Sequence, residues 1–118
     1  MNVETLREYA LSFSHVTEEF PFGPETLVFK VAGKMFLLTS LDDSTTFNAK
    51  CDPERAVQLR EEYEEVQPGY HMNKKHWNTV ALTGRLTENQ LKELIAHSYD
   101  LVKESLPKKI RDEINATK

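Results

Sequence analysis

Between residues 3 and 14 the apolar positions Val3, Leu6, Ala10 and Phe13 recur at helical intervals, which predicts a helix with Asn2 as its N-cap. The period then breaks. HVTEEFPFGPE, residues 15–25, holds two prolines and Gly23 and reads as a loop. From residue 26 the pattern changes to alternation. TLVFKVA sets Leu27, Phe29 and Val31 against Val28 and Lys30, Gly33 makes a turn, and MFLLTSL follows as a second strand. Asp42, Asp43 and Ser44 are turn residues, and TTFNAK is a third strand, so residues 26–50 read as an antiparallel meander.

Asp52-Pro53 is a helix start, with the carboxylate accepting from first-turn amides and proline at the first helical position. That helix reaches about Glu65, carries Ala56, Leu59 and Tyr63 on one face, and ends before Pro68-Gly69, which sets the turn from helix to strand. Residues 70–82 alternate weakly and predict two short strands, with Asn73, Lys74 and Lys75 at the tip between them. Thr87 and Gln90 form a capping box for a helix over 88–105, whose inner face is Leu91, Leu94, Ile95, Ser98 and Val102. Pro107 interrupts it, and KKIRDEI can add a turn or two. The order α–β–β–β–α–β–β–α predicts a single α+β domain over residues 1–118, with an antiparallel sheet covered by helices on one face. Phe29, Phe36, Leu38 and Phe47 cannot all point the same way, so the second face carries apolar side chains suited to a partner or a dimer.

Charge sharpens this picture. The chain of 118 residues has 39% hydrophobic and 29% charged residues and a net charge of −4, a globular profile without a basic footprint over its whole surface. Residues 1–68 carry 6 Lys/Arg against 13 Asp/Glu, whereas residues 69–118 carry 9 against 6. The cations of the second half begin in PGYHMNKKHW, residues 68–77, a stretch without a carboxylate. The lysine pair Lys74-Lys75 suits phosphate contacts at a projecting tip or a solvated turn; His76 and Asn78 add hydrogen-bonding groups. Trp77, the only tryptophan, is expected in the core against a helix, and Tyr70 and Met72 are weighed in the same way.

Catalytic and metal signatures are thin. No phosphate-cradling loop, nucleophile elbow or CxxC stands in the chain, and His71 and His76, five apart on a strand, would face opposite ways. Cys51 is expected as a small buried cysteine, His97 as a boundary residue of the last helix, and Glu61, Glu62, Glu64 and Glu65 as a solvated surface that repels nucleic acid. A non-enzymatic protein with no cofactor and no metal is expected. The lone cysteine fits a reducing compartment; no signal peptide or membrane span is visible, and a cytoplasmic location is expected.

EEFPFGPETLVFKVAGKMFLL, CDPERAVQLREEYEEVQPGYHMNKKHWNTV and LKELIAHSYDLVKESLPKK, in this order, resemble the MmcQ/YjbR family of small bacterial proteins over roughly residues 4–112. The resemblance implies a fold like that of type III secretion chaperones, α–β(3)–α–β(2)–α, and a double-wing DNA-binding motif. Two classes of function stand. One is DNA binding through Lys74, Lys75, His76 and Asn78, with Lys108, Lys109 and Arg111 as a second basic cluster; the other is a protein- or peptide-binding adaptor using the open sheet face. Either acts as a monomer or weak dimer away from the membrane.

Overall fold

The computed structural model describes residues 1–69 and 72–116. The elements are α1 (Val3–Leu11), β1 (Val16–Glu19), β2 (Thr26–Val31), β3 (Lys34–Ser40), β4 (Thr46–Lys50), α2 (Pro53–Glu62), β5 (Val66–Pro68), β6 (Trp77–Ala81), α3 (Glu88–Glu104) and α4 (Lys108–Ala116). The six strands form one antiparallel sheet in the order β1-β2-β3-β4-β6-β5. The expected α+β architecture with its three-stranded meander is present, and two elements differ from expectation.

The first difference is β1, which lies in the stretch expected to be a loop. It pairs Val16 with Val31 and Glu19 with Val28. Its sequence, VTEE, does not alternate cleanly because it is an edge strand whose carboxylates serve neighbours. Glu18 receives both Nε and an Nη of Arg7 at 2.6 Å, and Glu19 pairs with Lys30 at 3.2 Å. Charged side chains on an edge also discourage pairing with another chain.

The second is the last hairpin. Its first strand runs into Pro68 instead of starting after Gly69, and Pro68, its last residue, faces Asn78. Proline is tolerated there because β5 is the other edge of the sheet, where an N–H is dispensable. Gly69 and residues 72–76 belong to the loop that carries the lysines. Tyr70 and His71 lie outside the described residues.

A bulge explains how three phenylalanines reach one core. Phe29 pairs with Leu37 while Lys30 pairs with Met35, so Phe36 is an extra residue in β3. Phe36 and Leu37 both join the helix-facing cluster with Phe29, Phe47, Ala49 and Val80, and Leu38 is turned to the opposite face.

Helix α3 lies across β2, β3 and β4. It buries Leu91, Leu94, Ile95, Ser98, Tyr99 and Val102, and its predicted capping box of Thr87 and Gln90 is formed. Helix α1 is capped by Asn2, and α2 by Asp52 with Pro53 in its first turn. The tail forms the nine-residue α4, anchored in the same core by Ile114.

Candidate functional site

Three consecutive residues of α3 hold the sheet's centre. The Ser98 hydroxyl donates to the Phe36 carbonyl at 2.5 Å and accepts from the Lys50 amide at 2.8 Å, bridging β3 and β4 where the ladder is interrupted. The Tyr99 hydroxyl donates to the Ser14 carbonyl at 2.8 Å, and its ring stacks on Phe13 with centroids 4.5 Å apart. His97 Nε2 accepts from the Asp52 amide at 3.2 Å at the entry to α2. The HSY segment is therefore a structural clamp. Cys51, beside it, is buried, and burial pushes its thiol pKa up, the reverse of what an activated thiolate needs.

Burial, followed by the charge of Arg55, lowers the His97 pKa from its ordinary 6.5; Asp52, Asp100 and Glu93 act the other way. Protonating Nε2 removes the acceptor used by Asp52. A folded-state pKa below the unfolded one means that the unfolded chain binds more protons in between. This contribution to stability is fully present above about pH 6.5 and is lost as pH falls through that value toward the folded one. The difference in melting temperature between pH 7.5 and 5.5 is expected to shrink in His97→Asn; an unchanged difference contradicts this role.

The hairpin loop is braced from α2. The Arg60 guanidinium donates to Asn78 Oδ1 at 2.7 Å, to the Trp77 carbonyl at 3.3 Å and to the Lys74 carbonyl. Asn73 organises the tip: its carbonyl accepts from the His76 and Trp77 amides, and its side chain from the Lys75 amide at 3.0 Å. The His76 carbonyl accepts from the Cys51 amide at 2.7 Å, joining the loop to the end of β4. Lys74 and Lys75 are exposed and His76 is half-buried.

Not every residue expected at a nucleic-acid surface is placed to serve there. Asn78 is 2% exposed and occupied by Arg60, because the register Ala49↔Asn78 turns it inward, so it is corrected to a structural residue. On α4, Lys108 pairs with Asp112 at 2.9 Å and Arg111 with Glu104 at 3.3 Å; Lys109 is exposed on the same helix. These cations belong to the helix layer and are partly balanced there, while Lys74, Lys75 and His76 sit on the sheet's own hairpin. Arg60, which sets the tip, carried no signal in the sequence beyond being one arginine among glutamates.

The open side of the sheet offers a cleft of about 380 Å³. Its lining comprises Phe22 from the β1–β2 loop, Leu38 and Ser40 of β3, Thr26, Asn48 and Met72 from the hairpin loop. Phe22 is 66% exposed and Phe20 is 49% exposed, and Gly23, at φ +114°, makes the turn that presents them. The sequence placed these rings in a loop without marking them as a surface feature. Alternation along β6 puts Trp77 on this side too. It is only 8% exposed and lies outside the helix-facing cluster, so it is buried on the sheet's open side instead of in the core beneath the helices. Gly69 closes on it so tightly that a Cβ there would stand 3.0 Å from Trp77 Cβ.

Among the described residues no group of three or more His, Cys, Asp or Glu could hold a metal ion, and no helix is long and apolar enough to cross a membrane. The family model YjbR matches residues 11–101. A protein of Escherichia coli O157:H7 named YbdF is 41% identical over 107 residues, covering 90% of this chain and 88% of the relative. YjbR of Escherichia coli K12 is 28% identical over 112 residues, covering 94% and 95%. A crystal structure of a DUF419-domain protein from Deinococcus radiodurans superposes with a TM-score of 0.88 at 42% identity, covering 96% of this chain and 87% of the other.

Proposed function

We propose that this chain, which belongs to the YjbR family, is a non-catalytic nucleic-acid-binding module that uses the β5–β6 hairpin as a basic wing. One observation carries the reading: Lys74 and Lys75 stand exposed, beside the half-buried His76, on a loop whose backbone Arg60 and Asn73 hold in place. A pre-shaped loop places its ammonium groups against phosphates at little entropic cost. The exposed carboxylates Glu54, Glu61 and Glu62 belong to α2, so a polyanion approaches from the open side of the sheet.

With so few cations on the wing, binding is weak, and its salt slope is set by the few phosphate contacts made, about −0.9 for each. Labelled duplex titrated at low and physiological salt is expected to lose affinity as salt rises. Lys74→Glu with Lys75→Glu is expected to weaken binding alike across sequences, with the slope of log K against log salt falling by about 0.9 per lost phosphate contact. Stability is expected to stay within about 0.5 kcal/mol, as for most surface substitutions. If the wild type binds nothing in a salt-sensitive way even at low ionic strength, the reading falls.

Exposed Phe20, Phe22 and Leu41 favour one competing reading, an adaptor that holds a protein segment on the same face. Salt separates the two, since an apolar interface does not weaken as salt rises.

A further inference from the structure

We propose that the cleft on the open sheet face receives an unstacked base of a single-stranded nucleic acid whose phosphates lie at the Lys74-Lys75 tip. This rests on the nucleic-acid reading and adds the strand state of the ligand and the group that is recognised. The cleft, about 380 Å³, falls within the roughly 300–1,000 Å³ of small-ligand pockets.

Its lining has the chemistry of a base site. Leu38 contributes apolar surface, and Phe22 and Met72 come from two different loops. A large aromatic left 66% exposed at such an opening is a stacking surface, and base–aromatic stacking tolerates any sequence because every base has a π-face. Polar groups sit on the sheet itself. Asn48 Oδ1 accepts from Thr79 Oγ1 at 2.5 Å, so what its amide offers a ligand is the Nδ2 donor side. Ser40 Oγ accepts from the Asp43 amide at 3.2 Å, which leaves the hydroxyl proton to donate, and Thr26 stands opposite Ser40 in the ladder. Heteroatoms on a base edge satisfy such groups. An apolar peptide side chain would strip water from them and replace nothing, which is costly for each group left unpaired.

Charge gives the bound strand a direction. At the β3–β4 turn, beside Ser40, are Asp42 and Asp43, with Asp43 Oδ1 accepting from Thr45 Oγ1 at 2.7 Å. On the other side, Met72 leads within three residues to Lys74 and Lys75, and Lys50 lies opposite Trp77 on the same sheet face. The phosphates flanking an inserted base are favoured toward the lysines and disfavoured toward the aspartates. A base in a duplex is stacked on both faces and cannot enter, so the cleft selects single strands.

The test uses the full chain and a fluorescein-labelled mixed-sequence 20-mer, as single strand and as duplex, followed by anisotropy at low salt. Tighter binding of the single strand is expected. Phe22→Ala is expected to weaken single-strand binding by about 5- to 150-fold and leave the duplex unchanged, with Phe22→Tyr restoring it. Asn48→Ala is expected to reduce the preference for single strands. Lys74→Glu with Lys75→Glu weakens both forms. Equal binding of the two forms, or single-strand binding indifferent to Phe22→Ala, overturns the base site while leaving the wing reading intact. No binding of either form removes both. A labelled phenylalanine-rich peptide whose binding Phe22→Ala abolishes, with no effect of that variant on single strands, assigns the cleft to a protein segment and overturns the proposal.

Discussion

Trp77→Ala is expected to destabilise the protein by about 3–5 kcal/mol, the range for a large aromatic removed from a packed site. Trp77 is 8% exposed, and Gly69 approaches its Cβ and carbonyl so closely that a Cβ there would stand 3.0 Å from Trp77 Cβ. Removing it leaves a cavity that the loop can fill only by shifting, and a shift releases the Asn73 and Arg60 bonds that shape the tip. The substitution is therefore expected to lower the midpoint of denaturant unfolding without altering its slope, and also to weaken nucleic-acid binding though no contact residue changes. Native tryptophan emission is expected to be blue-shifted. Emission at the wavelength of free tryptophan, or a loss of less than about 1 kcal/mol, would mean that the ring is not packed as described.

Ser98→Ala is expected to cost about 2–4 kcal/mol, a large effect for the loss of one oxygen. The hydroxyl serves two backbone groups, the Phe36 carbonyl and the Lys50 amide, at a fully buried site. Removing it strands both, and each buried group left without a partner costs roughly 1–3 kcal/mol. No neighbouring strand can take over, because Phe36 is the bulged residue and Lys50 is the last of β4. Chemical denaturation of the variant beside Ala96→Ser, a half-buried control two residues earlier on α3, separates this loss from a general intolerance of α3 to substitution. A cost near that of an exposed substitution would show that water or a rearranged backbone satisfies the two groups.

Both residues illustrate what periodicity can deliver. Ser98 was placed on the buried face of α3 by its spacing from Leu91, Leu94 and Ile95, since a helix repeats its faces every 3.6 residues whatever it packs against. Its two partners were invisible, because they are backbone groups 62 and 48 residues away. Trp77 was legible as buried but not as to what covers it. The assignment to a helix followed from burial tendencies, whereas the pairing Lys50↔Trp77 turns the ring to the sheet's other side.

The same division runs through the candidate site. That Lys74 and Lys75 lie in a hairpin loop was legible locally from the polar turn residues around them, although the first strand lies at Val66–Pro68 and not within 70–82. That Asn78, four residues on, is buried was decided by the ladder, because a strand's register sets its faces and nothing within the segment specifies it. The sequence alone determined the caps, the three main helices and the meander, all of which depend on neighbours a few residues apart. Only the tertiary structure decided the rest: the edge strand β1, the bulge that sends Phe36 inward and Leu38 outward, Arg60 beneath the wing, and the meeting of Phe22, Asn48 and Met72 around one cleft. Each depends on contacts between distant segments, whose geometry is set by how the whole sheet twists and packs beneath α3 and not by the order of residues in any one stretch.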